Sequence, residues 1–169
     1  SGGLDTVARH MGHMFRHIAE HPADQERLRE DPSLVPDAVD ELMRAYSSVT
    51  VTRRCIKSRT IRGVQIREGD RVAIALPLAS RDPLAYDRPN DVILERKPSL
   101  VAFGQGTHLC IGILLAKLEL RIAIEEMLKR LPTFRIPQGS VIEADFGQVL
   151  QLTVLPLEWD PAQLKPRAG

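Results

Sequence analysis

One of the two cysteines lies in a glycine-punctuated stretch, Phe103-Gly104-Gln105-Gly106-Thr107-His108-Leu109-Cys110-Ile111-Gly112, just before the longest apolar-periodic segment of the chain. A helix N-terminus offers free backbone N–H groups and the positive end of its dipole, so a sulfur placed there is favoured as the thiolate. Glycines let backbone approach a flat ligand closely. On the loop alone three chemistries stay open: ligation of a haem iron, redox exchange and nucleophilic attack. The other candidates lie apart from it. Asp5 and Thr6 pair a carboxylate with a hydroxyl, which suits general-acid work or, equally, a helix N-cap. His10, His13 and His17, at i, i+3 and i+7, share one helical face and can bind a metal or supply an extra ligand. No carboxylate or cysteine completes a metal site in sequence, so a solvent-exposed face is the favoured reading. Glu41 and Arg44, three apart, can form an ion pair on one helix. Arg53 and Arg54 read either as ligand-binding cations or as a solvated pair on a strand.

The elements that must position these residues follow from periodicity and punctuation. A helix is predicted over Val7 to Glu20, with apolar residues at Met11, Met14, Phe15 and Ile18, ending at His21-Pro22. Ala23 to Glu30 is a short charged helix closed by Asp31-Pro32, and Val35 to Tyr46 a third, with Pro36 in its first turn. Val49 to Thr52, Ile61 to Ile66 and Arg71 to Leu76 read as short strands, with turns at Gly63 and Gly69-Asp70. Arg81 to Pro98 is an ordered loop of a length that usually carries function. Ile111 to Leu131 is the clearest helix, stopped by Pro132. Val141-Ile142 and Val149 to Leu157 form a last hairpin, and the tail from Asp160 is loose. The fold class is therefore mainly α with small β-hairpins (α+β).

With 169 residues, 43% of them hydrophobic, one domain with a real core is expected. Lys plus Arg number 23 against 22 Asp plus Glu, so the net charge of +1 argues for neither a nucleic-acid nor a membrane partner, and any basic patch must be local. No apolar run approaches the ~20 residues that span a bilayer. Two cysteines make no disulfide framework, which fits a reducing, cytoplasmic setting. The chain opens on Ser1-Gly2-Gly3-Leu4-Asp5-Thr6 and runs directly into a helical pattern, as if beginning inside an element.

Phe103, Gly106, Cys110 and Gly112 match F-x-x-G-x-x-x-C-x-G, which resembles the haem-binding signature of the cytochrome P450 family. Glu41-Leu42-Met43-Arg44 resembles the family's E-x-x-R pair, upstream and in the right order. Gly2, Gly3, Asp5 and Thr6 are similar to the oxygen-activating kink of its long central helix. Arg81-Asp82-Pro83 and Tyr86-Asp87-Arg88-Pro89 resemble the loop before its haem segment. The likeness covers essentially the whole chain and looks closest to the camphor-hydroxylating bacterial branch.

The resemblance implies a truncated P450 fold, the C-terminal half only, as a single domain over 1–169 that begins part-way along the central helix. It implies haem b as cofactor, with Cys110 as the metal ligand. Phe103, Gly104, Gly106 and Gly112 would shape the loop, His108 and Arg53 would reach the propionates, and Arg96 is a further candidate there. Asp5 and Thr6 would relay protons during oxygen activation. Glu41 and Arg44 would be architectural; their customary third partner falls at Asp91, with Arg88 as a substitute. Val49, Val51, Gln148 and Val149 would line the pocket. Lys97, Lys117 and Arg121 would meet a ferredoxin-type electron donor. The function implied is that of a haem-thiolate protein related to bacterial monooxygenases. As a truncated chain it is expected to bind haem with at most peroxidase-like oxidation, or to serve as a non-catalytic haem-binding remnant, or as a monooxygenase half completed by another chain. Apolar surface left bare on the first and last helices predicts a homodimer.

Overall fold

The structure, a computed structural model, describes residues 3–164. Gly2 of the glycine-rich start and residues 165–169 of the tail lie outside the described residues.

Helix α1 spans Asp5–Glu20 and α2 spans Pro22–Glu30. Pro22 occupies the first turn of α2, where its missing N–H costs nothing. A 3-10 turn at Pro32–Leu34, fixed by the Asp31 carboxylate accepting from Ser33 N at 3.0 Å, leads into α3, Val35–Ala45. The longest helix, α5, spans Ile113–Arg130, and between α3 and α5 lies the one-turn helix α4, Leu76–Ala79. The strand expected to reach Leu76 stops at Ala75, because Pro77 falls in the first turn of α4 and cannot extend a ladder.

The strands form four separate antiparallel pairs: β1 (Thr50–Arg54) with β4 (Arg71–Ala75), β2 (Arg59–Ile61) with β3 (Val64–Ile66), β5 (Phe134–Arg135) with β8 (Glu158–Trp159), and β6 (Glu143–Asp145) with β7 (Gln151–Val154). A bulge between Glu143 and Ala144 starts the last hairpin later than its apolar residues suggest, so Val141 and Ile142 stay outside it. The β5–β8 pair, which anchors a buried Phe134, was not legible in so short a strand. Asp160 caps a 3-10 turn at Pro161–Gln163, so the tail expected to be loose is ordered through Leu164.

The core lies between α1, α2, α3 and α5. Met14 and Ile18, Leu28, Val39 and Leu42, and Leu120, Ile124 and Leu128 are all buried there. The α5 residues recur every four positions, so one stripe of that helix faces inward. Buried Gln25 ties the layers together: its amide donates to the Ile18 and Phe134 carbonyls at 3.1 and 2.9 Å and accepts from Phe134 N at 3.1 Å. Arg29 donates to the Leu131 and Pro132 carbonyls, filling acceptors that the end of α5 leaves open.

The other side of α5 is bare. Ile111, Leu114, Leu118 and Ile122 are exposed along one side of it. On α1 the expected exposure is confined to its start, at Leu4. The histidine face, expected to meet solvent, is buried instead: His10, His13 and His17 are at most 6% exposed. The physical reason is that α3, the chain around Ser48 and strand β7 close over that face. Ser48 Oγ lies 2.9 Å from His10 Nδ1, and His13 Nε2 donates to the Leu150 carbonyl at 3.2 Å. His17 sits between the Tyr46 hydroxyl at 2.9 Å and Asp24 at 3.0 Å. Among the described residues no helix is long and apolar enough to cross a membrane.

Candidate functional site

The cysteine loop is built by backbone hydrogen bonds that only a glycine-rich sequence permits. Gly104 N donates to Val101 O at 2.8 Å and Cys110 N to Phe103 O at 3.0 Å, closing a compact reversal. Gly104 and Gly106 hold φ of +75° and +69°, in the left-handed region that costs L-residues about 1–2 kcal/mol. The 3-10 turn Gly106–His108 then brings Cys110 to the entrance of α5, with Gly112 as its N-cap residue. Cys110 is exposed and unpaired, and Cys55 stands apart as a second free thiol.

Cys110 forms part of the wall of a cavity of about 980 Å³, at the large end of small-molecule sites. Thr6 and His10 of α1 reach it from one side, Val51 and Arg53 of β1 from another, and Leu115 of α5 from a third. The structure therefore brings Cys110, His108, Arg53, Phe103, Gly104, Gly112 and Thr6 together on one cavity. Gly106 shapes the loop without lining it. Asp5 is exposed at the start of α1, one residue outside the wall, and neither it nor Thr6 caps the helix: the N-cap residue is Leu4, with no side-chain capping bond. Val49, Val51 and Val149 line the cavity as expected. Gln148 does not; its carbonyl accepts from Thr50 N at 2.8 Å and its side chain faces solvent.

Beneath the loop lies a buried ionic knot. Arg44 and Glu41, both fully buried, form a bidentate pair at 2.8 and 2.8 Å. The remaining Arg44 donors reach the carbonyls of Ser80, Pro89 and Asp91, so all five N–H groups are used. The third partner is Arg96, not Arg88: Arg96 Nε donates to Glu41 Oε1 at 3.1 Å, and its other nitrogens reach the Asp87 and Arg88 carbonyls. This corrects the expectation that Arg96 serves a propionate. Arg88 pairs instead with Asp91 at 2.7 Å on the surface. The signal for Arg96 was available: one arginine cannot satisfy a buried carboxylate with four acceptor sites. The knot pins the loop 81–96 to α3, and Tyr86, whose ring lies under Arg44, donates to Ser99 O just before the cysteine segment.

The three cations expected to steer an electron donor each have a nearby acid: Lys97 with Asp37 at 3.6 Å, Lys117 with Asp40 at 2.7 Å, Arg121 with Glu125 at 2.9 Å. Met43 and Glu119 also line the cavity, positions the motifs do not flag. Burial, and then the nearby His13, push the His10 pKa down to about 4. Burial also lowers His13 and, against the pull of Asp24, His17. Among the described residues no group of three His, Cys, Asp or Glu side chains is placed to hold a metal ion.

The family model for cytochrome P450 matches residues 1–160. The chain belongs to the cytochrome P450 family. It is 40% identical over 158 residues to a probable cytochrome P450 127A1 of Sinorhizobium fredii, an alignment covering 93% of this chain and 38% of that protein. To cytochrome P450 105C1 of a Streptomyces species it is 36% identical, covering 84% and 39%. Among solved structures it resembles P450 CYP101C1 with a TM-score of 0.89 at 38% identity, covering 94% and 41%. It also resembles an intact type IV self-sufficient P450 monooxygenase with a TM-score of 0.91 at 29% identity, covering 95% and 21%. The chain thus spans about two-fifths of the length of the curated P450s it matches.

The family's cofactor is haem b, and the residues present fit it. The cavity offers a thiol on one wall and apolar side chains around it. Arg53 makes one side-chain hydrogen bond, to the adjacent Thr52 carbonyl, and among the described residues has no carboxylate partner, leaving it free for a propionate. When bound, a thiolate-ligated haem supplies electron-rich iron that favours O–O cleavage. Cys110 would hold the iron, Arg53 and His108 would bind the carboxylates, and Gly104 would let backbone lie against the ring.

Proposed function

We propose that this chain is the haem-thiolate part of a monooxygenase of the bacterial type, with Cys110 as the iron ligand and small organic molecules as substrates. The observation that carries the reading is the single cavity lined together by Cys110, Arg53 and His108 and by Thr6 of α1. Oxidation of a C–H bond then balances in either of two ways: RH with O₂, two electrons and two protons gives ROH and water, or RH with hydrogen peroxide gives ROH and water. In the first, exposed Asp5 takes protons from solvent and Thr6 passes them into the cavity. For the 169 residues alone the peroxide route is the one we infer, since it needs no electron donor. A ferredoxin-type donor would meet Lys97, Lys117 and Arg121 only by displacing Asp37, Asp40 and Glu125, so charge steering there is weak. The bare apolar side of α5 supports a homodimer, and two thiols without a disulfide support a cytoplasmic setting.

The test is the absorption spectrum of haem-reconstituted protein, reduced under carbon monoxide, for the natural chain and for Cys110→Ala. A thiolate-type Soret band that disappears in the variant is expected. A histidine-type band that survives the substitution would move the ligand elsewhere, and no haem binding would leave a non-catalytic remnant as the reading.

A further inference from the structure

The near-zero net charge conceals a lobe of one sign. Residues 54–71 hold six cations, Arg54, Lys57, Arg59, Arg62, Arg67 and Arg71, against two acids, Glu68 and Asp70, an excess of four (6 − 2) in a chain of net charge +1. All six cations are exposed, and none of them has an ion-pair partner among the described residues. Elsewhere Arg16, Arg88, Arg121, Arg130 and Arg135 each have a carboxylate within 2.9 Å, and the arginines without one among the described residues, Arg9, Arg29, Arg53 and Arg81, are not clustered in one segment. Asp70 is occupied with backbone, accepting from Arg67 N at 2.7 Å. Arg54 and Arg71 stand directly opposite each other in the β1–β4 register, an arrangement that like charges disfavour.

The same lobe bares apolar side chains. The β2–β3 register pairs Arg59 with Ile66, Thr60 with Gln65 and Ile61 with Val64. Alternation therefore puts Ile61, Val64 and Ile66, with Arg59 beside them, on one face of the hairpin and Thr60 and Gln65 on the other. Ile61 is 56% exposed, Val64 65% and nearby Ile56 87%, while Ile66 at the base is half-buried, so the tip of that face is left bare among the described residues. The reversal is made by Arg62 and Gly63 with φ of +48° and +81°. Tight hairpins of this kind favour Asn-Gly, so an arginine in the left-handed region holds its cation at the tip against a backbone preference.

We propose that the β2–β3 hairpin and the basic strand ends beside it form a peripheral docking surface for an anionic phospholipid membrane. A protruding two-residue tip with aliphatic residues inside a rim of cations has the profile of an interfacial anchor, in which apolar groups enter the headgroup boundary and cations meet anionic lipid. Single-strand nucleic-acid sites are built on aromatic stacking platforms, and residues 54–71 contain no aromatic side chain. The surface is peripheral, so it agrees with the lack of any spanning helix among the described residues. It stands independently of haem binding.

Co-sedimentation of the protein with phosphatidylcholine vesicles, and with vesicles containing about one-third phosphatidylserine, tests the proposal. Binding is expected only to the anionic vesicles and should weaken as salt is raised. The triple variant Arg59→Gln, Arg62→Gln, Arg67→Gln should lose about a hundredfold in affinity, at about fivefold per cation. Ile61→Ser with Val64→Ser should lose at least about tenfold while every charge is kept. All five substitutions fall on exposed side chains. Equal binding to both vesicle types, or unchanged binding by the triple variant, overturns the proposal. So does an Ile61→Ser, Val64→Ser variant that binds as the natural chain does while poly-glutamate or RNA competes fully, which would make the lobe a general polyanion site.

Discussion

His10→Phe separates the burial of one histidine from everything else in the helix. His10 is 2% exposed, its Nδ1 lies 2.9 Å from Ser48 Oγ, and its Nε2 is buried without a partner. Burial holds its pKa at about 4 against the ordinary 6.5. In the unfolded chain the ring takes a proton below about pH 6.5; in the folded protein it resists until about pH 4. The folded state therefore loses stability as pH falls through that window, and below the folded pKa the loss levels off without being regained. Worked through the linkage relation, His10 costs almost nothing at pH 7.5 and about 2 kcal/mol at pH 5. Phenylalanine keeps the ring volume and cannot titrate. It forfeits the Ser48 contact, a loss of about 1 kcal/mol that is the same at both pH values. Thermal unfolding followed by circular dichroism at pH 7.5 and pH 5 should show the variant gaining about 4–8 °C on the natural protein between the two conditions. His17, lowered in the same direction, steepens the acid limb of both proteins and cancels in the comparison, while His13, which repels a charged His10, is relieved in the variant and adds to its gain at low pH. A Tm difference that is identical at the two pH values would refute the reasoning.

Glu41→Gln leaves the fully buried Arg44 charge without its counterion and should destabilise the protein by about 3–5 kcal/mol in denaturant unfolding, with the cysteine-ligated haem spectrum unchanged in whatever fraction still folds. Gly104→Ala should cost about 1–2 kcal/mol from its φ of +75° alone, since the new Cβ meets only the His108 carbonyl at 3.5 Å, an ordinary contact. Arg53→Ala should weaken haem retention, measured by transfer to apomyoglobin, without altering the thiolate spectrum that Cys110→Ala abolishes. Leu114→Asp with Leu118→Asp should convert the expected dimer to monomer in light scattering across concentrations; a natural chain that is monomeric throughout removes the dimer.

Local signals carried most of the element boundaries and the whole cysteine loop, because glycine, proline and apolar periodicity act within a few residues. Pro22, Pro36 and Pro132 mark the starts or ends of α2, α3 and α5 within two residues of their observed positions. What stayed hidden depended on residues distant in sequence. The histidine face looked solvent-facing on α1 alone, yet Leu150, more than a hundred residues away, supplies the acceptor for His13. Arg96 was assigned to the cofactor because sequence shows a cation near the loop, not the Glu41 oxygen 3.1 Å from its Nε. The basic lobe escaped for the opposite reason: a sum over the chain cancels charges that the fold keeps apart.

These misses share one physical origin, and it explains how the site is held. Cys110 and His108 sit on an exposed loop whose own packing is slight, so their placement has to be imposed from beneath. The Glu41–Arg44–Arg96 knot, with Glu41 and Arg44 fully buried and Arg96 partly so, does this with charge-assisted bonds to the carbonyls of Ser80, Asp87, Pro89 and Asp91, acceptors on a segment with little regular secondary structure to satisfy them. Hydrogen bonds thus add to the packing of Tyr86 and Leu94 over residues 80–96, and the glycines of the loop convert that fixed base into an open approach to the cavity. A cysteine carried on a buried strand would be equally rigid but closed to a flat ligand. A cysteine on an unanchored loop would be accessible, but its sulfur would have no fixed position relative to Arg53 and Thr6 on the same cavity.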